Sequence, residues 1–260
     1  MRTPTGTHAI VRGVPATFDR AIQAYGPARP IDVERARDQH ARYCAALEEL
    51  GLELIPVPAD DRFPDCPFVE DTAVVIGDLA VLARPGADSR RGEVAAVGEA
   101  LAARPSLDVR MLLPPATLDG GDVLAIGDRV YVGLSDRTNQ DGADRLAEIL
   151  AERSIDVEPL VVRDVLHLKS ACTYLGDDTI LWLPGHVEGD ELLRDRTVIE
   201  VSADERHAAN CLAMNGRVLV PKGAPRTRSA LEAAAFDTIE IDMTESVKAG
   251  AGLTCSSIVF

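Results

Sequence analysis

Cys255 is the residue with the widest chemical reach in this chain. It stands in Gly250-Ala-Gly-Leu-Thr-Cys255-Ser-Ser-Ile-Val-Phe260, where small residues give way to a thiol and then to an apolar, β-branched stretch. The pattern predicts a buried terminal strand over Leu253–Phe260 with a rigidly held thiol at its mouth. Such a thiol can act as a nucleophile, and a free Cys can equally be a small core residue. Three further clusters bear on the choice. Phe63-Pro-Asp65-Cys-Pro-Phe-Val-Glu70-Asp71-Thr72 sets three carboxylates ahead of an apolar strand, where unpaired charge is costly and a cationic ligand would satisfy it. In Thr117-Leu-Asp119-Gly-Gly-Asp122, two glycines between aspartates allow close backbone approach to a ligand. Leu166-His167-Leu-Lys169-Ser170 holds an imidazole between apolar residues; it is a satisfied core histidine or a proton-exchange group. Arg90 and Arg137, each beyond a hairpin, are the side-chain type that clamps a carboxylate through paired hydrogen bonds. Thiol, imidazole and carboxylate together are the logic of thiol-based acyl or amidine chemistry. Carboxylates and arginines suit a zwitterion carrying an extra positive group, such as an amino acid with a cationic side chain.

The elements that must position these residues repeat. Thr72–Arg84, Gly121–Leu134, Ser170–Pro184 and Asn210–Pro221 each read as strand, tight turn, strand. The turns are Gly77-Asp78, Gly127-Asp128, Gly176-Asp177 and Asn215-Gly216, types that tolerate positive φ. Spacings of three and four predict helices through Ala36–Leu50 and Val94–Leu101, with others over Gly142–Arg153 (capped by Asp141) and Arg228–Phe236. Short strands follow at Glu53–Val57, Asp108–Leu112, Val157–Val162 and Thr238–Ile241. The unit is strand-strand-helix-strand, repeated about four times. A fifth forms if Thr7–Arg12 pairs with Leu253–Phe260, closing a ring that leaves no exposed sheet edge. No linker or domain boundary interrupts residues 1–260.

Composition narrows the partners. A net charge of −15 argues against nucleic acid or an anionic membrane, since both require a basic face. Five widely spaced cysteines with no CxxC pair predict reduced thiols in a cytoplasmic protein rather than disulfides or a zinc site. Met1–His8 has no apolar core of a signal peptide, and no apolar run reaches the length of a membrane span.

Six segments carry a family resemblance: Asp65–Asp71, Arg84–Arg91, Leu118–Leu124, Val132–Gln140, Leu166–Ser170 and Gly252–Cys255. In order and over nearly the whole chain they resemble the dimethylarginine dimethylaminohydrolases of the guanidine-modifying (pentein) superfamily. The resemblance implies a five-bladed α/β propeller of ββαβ units around a polar channel, matching the repeat count. It implies Cys255 as nucleophile, His167 as general acid/base and Asp119 as the carboxylate orienting His167. Asp71 would accept the guanidinium with Glu70 beside it in the same polar site. Asp65 would receive the α-amino group, Arg90 and Arg137 the α-carboxylate, and the carbonyl of Ala249 would add a contact. The implied reaction is hydrolysis of Nω-methylated arginine to citrulline and methylamine or dimethylamine, without metal or organic cofactor, in a monomer or homodimer. An anionic pocket raises a thiol pKa, so the bound cation and His167 are expected to promote the thiolate.

Two departures from the family pattern bear on the substrate: Gly250 stands where an Asp is common, and the lid Val14–Gln23 ends in a polar residue where Leu is frequent. An arginine deiminase acting on unmethylated arginine is the nearest enzymatic alternative. Its motif carries an Asp where this chain has Lys169, which favours the methylated substrate. A non-catalytic pentein would share the propeller without the thiol, imidazole and carboxylate.

Overall fold

The computed structural model describes residues 3–23, 28–189 and 191–260. Its strands and helices run β1 (His8–Arg12), α1 (Val33–Glu49), β2 (Glu53–Val57), β3 (Ala73–Ile76), β4 (Leu79–Leu82), α2 (Val94–Ala102) and β5 (Asp108–Met111). They continue with β6 (Val123–Ile126), β7 (Arg129–Leu134), α3 (Gln140–Ala151), β8 (Asp156–Val161), β9 (Cys172–Gly176), β10 (Thr179–Trp182) and β11 (Thr197–Glu200). The last are β12 (Leu212–Met214), β13 (Arg217–Pro221), α4 (Pro225–Ala233), β14 (Asp237–Ile241), α5 (Thr244–Lys248) and β15 (Ile258–Val259).

These strands form five three-stranded sheets, ordered β15-β1-β2, β3-β4-β5, β6-β7-β8, β9-β10-β11 and β12-β13-β14. In each, two strands pair antiparallel and the last adds in parallel, as at β3-β4-β5. The terminal pairing holds: Ala9 sits opposite Val259 and Ile10 opposite Ile258, antiparallel. Apolar clusters join each blade to the next. Ile10 and Ile258 pack with Ala80 and Leu82, Val81 with Val130 and Val132, and Tyr131 with Ile180 and Trp182. Leu181 then packs with Val218 and Val220, and Leu212 and Leu219 return to Ala9 and Val11. Burial of these alternating faces drives closure, and five interfaces in cyclic order make the structure the five-bladed α/β propeller expected.

Four local expectations need correction. The fourth blade has no helix between β10 and β11, and β11 itself is mostly exposed, so it lacks the apolar run that marks a strand. Its hairpin turns at Asp177 and Asp178, both with positive φ, with a register shift at Thr179/Ile180 rather than a simple Gly176-Asp177 turn. Asn139, not Asp141, caps α3 by accepting from the Gly142 N–H at 2.8 Å. The fourth long helix begins at Pro225 and ends at Ala233, earlier than the apolar spacing indicates, because Pro is well suited to a first helical turn.

Candidate active site

Cys255 sits on a 3-10 turn, Thr254–Ser256, and only Ile258–Val259 of the terminal stretch is strand. The expected strand over Leu253–Phe260 is thus shorter, because side-chain contacts hold its first half in a turn. Asn210 Oδ1 accepts from the Thr254 N–H at 2.9 Å, and its Nδ2 donates to Thr254 Oγ1 at 2.9 Å. Gly252 is obligatory there, since a Cβ would lie 2.3 Å from Asn210 Cγ. The Gly252 N–H in turn donates to Cys255 Sγ at 3.3 Å.

The thiol shares a small cavity with Asp65, Asp71, Arg90, Arg137, His167 and Ala249. Ile22, Phe68, Leu166, Gly250 and Ala251 complete the wall. Six residues expected on sequence grounds, drawn from four blades, therefore meet Cys255 in one place. The cavity encloses about 20 Å³, room for roughly one water molecule. The N-terminal segment that contains Ile22 forms one side of it. Val14, Phe18 and Ala21 of that segment pack on Phe68, Ala249 and Ala251, and the Ile22 N–H donates to Asp65 Oδ1 at 3.0 Å. Gln23, the polar residue at its end, instead accepts from the Arg29 N–H and donates to the Arg29 carbonyl.

His167 is buried between carboxylates. Its Nε2 lies 3.1 Å from Asp119 Oδ2 and its Nδ1 lies 3.8 Å from Asp71 Oδ1. Asp119, fully buried and behind the ring, also accepts from the Gly86 N–H at 2.9 Å. Burial opposes the imidazolium, but Asp71, Asp122 and Asp119 outweigh it and raise the His167 pKa to about 9. The ring is therefore cationic at neutral pH. Gly120 and Gly121 serve this packing: a Cβ on Gly121 would stand 2.6 Å from His167 Nδ1, and one on Gly120 2.0 Å from the Glu70 carbonyl oxygen. The two glycines admit protein neighbours rather than the ligand expected from the sequence.

Two expectations change. Glu70 is not beside Asp71 in the thiol cavity; its carboxylate binds Lys169 Nζ at 2.6 Å and Thr254 Oγ1 at 2.7 Å. It lines a separate cavity of about 230 Å³ bounded by Val74, Leu124, Thr173 and Ala213. Adjacent residues in a 3-10 turn project in different directions, so consecutive acids need not face one site. Arg90 reaches the cavity, yet its guanidinium is already engaged. It donates to Asp71 Oδ2 at 2.5 Å, to Glu93 Oε2 at 2.8 Å and to the Phe68 carbonyl at 2.9 Å. It thereby anchors Asp71, whereas Arg137, 3.9 Å from Asp119, makes the looser ion pair. Sequence reading missed Glu93 as a partner, although its spacing three residues after Arg90 is a helical pairing signal. Asp71, Asp119 and His167 form the one close cluster of metal-ligand types among the described residues. Arg90 and the imidazolium already meet its negative charge.

Burial, with Glu70 and Asp71 adding repulsion, pushes the Cys255 thiol well above the free-thiol range. In the ligand-free protein it is therefore neutral at pH 7. Alkylation of Cys255 by iodoacetamide, followed by peptide mapping, should reach half its maximal rate only above about pH 8.5, the free-thiol value. A midpoint below that pH would refute a neutral resting thiol.

Five three-stranded blades with a thiol, an imidazolium and carboxylates gathered on one cavity define a pentein with a site for a cationic carbon. The arginine deiminase family pattern matches residues 63–219. The dimethylarginine dimethylaminohydrolase of Pseudomonas aeruginosa is 35% identical over 229 residues, covering 88% of this chain and 90% of that one. The Streptomyces coelicolor enzyme of the same name is 35% identical over 253 residues, covering 96% and 95%. A cysteine-to-serine variant of the Pseudomonas aeruginosa enzyme, solved with citrulline, superposes with a TM-score of 0.94 at 33% identity, over 98% of this chain and all of that one. This chain belongs to the arginine deiminase family, in its dimethylarginine dimethylaminohydrolase branch.

Proposed function

We propose that this protein hydrolyses Nω,Nω-dimethyl-L-arginine, and the monomethyl form, to L-citrulline and dimethylamine or methylamine. The observation that carries the reading is the convergence of Cys255, His167 and Asp71 on one cavity, with Asp119 holding the imidazolium from behind. In this reading Asp71 receives the substrate guanidinium, while Asp65 takes the α-amino group together with the carbonyl of Ala249. Arg137, aided by Arg90, takes the α-carboxylate. The incoming cation offsets the repulsion that keeps the Cys255 thiol neutral, and the thiol releases its proton to water, from which the departed dimethylamine later takes it up.

The Sγ thiolate then adds to the guanidinium carbon. The bond from that carbon to the dimethylated nitrogen breaks as this nitrogen takes the proton of the His167 imidazolium, and dimethylamine departs. What remains is an amidino group bonded to Cys255. Neutral His167 takes a proton from water as the hydroxide adds to the same carbon; the carbon–sulfur bond breaks, the proton of the added hydroxyl passes to the departing sulfur to restore the thiol, and citrulline leaves. One cation enters and one ammonium leaves, so charge and atoms balance. No helix among the described residues is long and apolar enough to cross a membrane. The five cysteines are free, which supports a reducing, cytoplasmic setting.

A substrate panel tests the assignment. Citrulline should form faster from asymmetric dimethylarginine and monomethylarginine than from arginine, by about tenfold or more in kcat/KM, the scale of one or two methyl contacts. Preference for plain arginine would replace this reading with a deiminase. Lys169 favours the methylated substrate: it stands where the deiminase motif carries an Asp, and its ammonium pairs with Glu70, so this position offers no second carboxylate for the far guanidinium nitrogen.

A further inference from the structure

We propose that Asp122 is the positioning residue of this site, a single carboxylate whose hydrogen bonds set the relative placement of His167, Asp119 and Arg137. The proposal rests on the reading of those three as catalytic and binding groups. Asp122 is fully buried and does not line the cavity that holds Cys255, so it acts through other residues. Its Oδ1 accepts from the N–H of Leu168, the residue following His167, at 2.9 Å. Its Oδ2 accepts from Thr138 Oγ1 at 2.7 Å and from Ser135 Oγ at 2.6 Å.

Those two hydroxyls lead onward. Thr138 Oγ1 accepts from the backbone N–H of Asp119 at 3.1 Å. Ser135 Oγ accepts from the backbone N–H of Arg137 at 3.0 Å. An ionised carboxylate can only accept, so each hydroxyl must donate its one hydrogen to Asp122 and keep its lone pairs for the next N–H. The charge thus sets the direction of both relays. The site is also shaped to admit the carboxylate: a Cβ on Gly133 would stand 2.7 Å from Asp122 Oδ1 and 2.9 Å from Leu168 Cβ.

The same charge acts on His167, which also faces Asp71 and Asp119 directly. Arg90 stands behind Asp71 and Arg137 beside Asp119. Asp122 itself has a pKa pushed up to about 6 by burial, against the pull of His167 and its hydrogen bonds, so it is charged at neutral pH.

Three variants test this. Asp122→Asn, compared with the parent by thermal unfolding to establish that it folds, should lower kcat about 10²-fold through misplacement of the reacting groups. In the ligand-free protein, NMR should show the His167 ring titrating about one pH unit lower, the size expected on losing one nearby opposite charge. That readout needs no substrate, so it separates failure of this proposal from failure of the dimethylarginine assignment. Should Asp122→Asn not fold, the relays are cut singly. Thr138→Val, acting through Asp119, should lower kcat at least tenfold while KM stays within threefold. Ser135→Ala, acting through Arg137, should raise KM at least tenfold while kcat stays within threefold. A folded Asp122→Asn protein with parental kcat and His167 titration would overturn the proposal, as would equal changes of kcat and KM in both relay variants.

Discussion

Replacing Cys255 with alanine should lower citrulline formation from dimethylarginine by at least about 10⁴-fold, or about 5 kcal/mol of transition-state stabilisation. The magnitude follows from the role assigned to the sulfur. Without it no covalent amidino intermediate forms, and water must displace dimethylamine in one step from a carbon already stabilised by resonance. What remains is binding and electrostatics, which in acyl-transfer enzymes leave only a small residual rate. The fold should survive, because Cys255 is partly exposed and its sulfur receives a single N–H, that of Gly252. Binding of dimethylarginine should persist as well, since Asp65, Asp71 and Arg137 are untouched. Steady-state assay and calorimetry on the same preparation check both halves. Activity within tenfold of the parent in the alanine variant would remove the thiol from the mechanism.

Replacing His167 with asparagine should lower kcat about 10³-fold, within the range of general acid–base catalysis. Asn retains a hydrogen-bond donor toward Asp119 but can neither give a proton to the departing amine nor take one from water. The parent enzyme supplies the matching pH result. A His167 pKa raised to about 9 means the imidazolium is fully present well below that pH and is lost as pH rises through it. The kcat/KM profile, which reports the free enzyme, should therefore fall on its alkaline side with a midpoint near 9, and His167→Asn should abolish that limb. A midpoint near the ordinary histidine value of about 6.5 would show that Asp71, Asp119 and Asp122 do not hold the proton.

Much of this arrangement was legible in the sequence, for reasons that differ by residue. The hairpins announced themselves through turn chemistry: Gly77, Gly127 and Asn215-Gly216 all adopt the positive φ their types allow. The union of first and last strands followed from an apolar chain end that needed a partner. Cys255, His167, Asp71 and Asp119 could be collected because each stands in or beside the short turn that leads into the first strand of a blade. Direction was not legible. Glu70 and Asp71 are neighbours in sequence, yet Glu70 turns to Lys169 and Thr254 while Asp71 turns to Arg90 and His167. Arg90 looked like a free clamp because nothing local reveals that Glu93 and Asp71 share it across a buried turn. The missed strand β11 lies in a segment whose side chains are mostly exposed, so no apolar alternation marks it.

Gly250 is the departure that the structure places most usefully. It lines the thiol cavity with φ +76 and has no atom within 4 Å of where a Cβ would stand. The cavity wall is thus backbone alone at this point, where the family commonly has the side chain of an Asp.

The central claim is a covalent intermediate on Cys255. Rapid acid quench of enzyme turning over dimethylarginine, followed by intact-protein and peptide mass spectrometry, tests it most directly. The result expected is a mass increase equal to the substrate less dimethylamine, confined to the peptide that contains Cys255 and absent from the alanine variant. Citrulline released at the normal rate with the adduct on any other residue, or with no adduct at any quench time, would contradict the account.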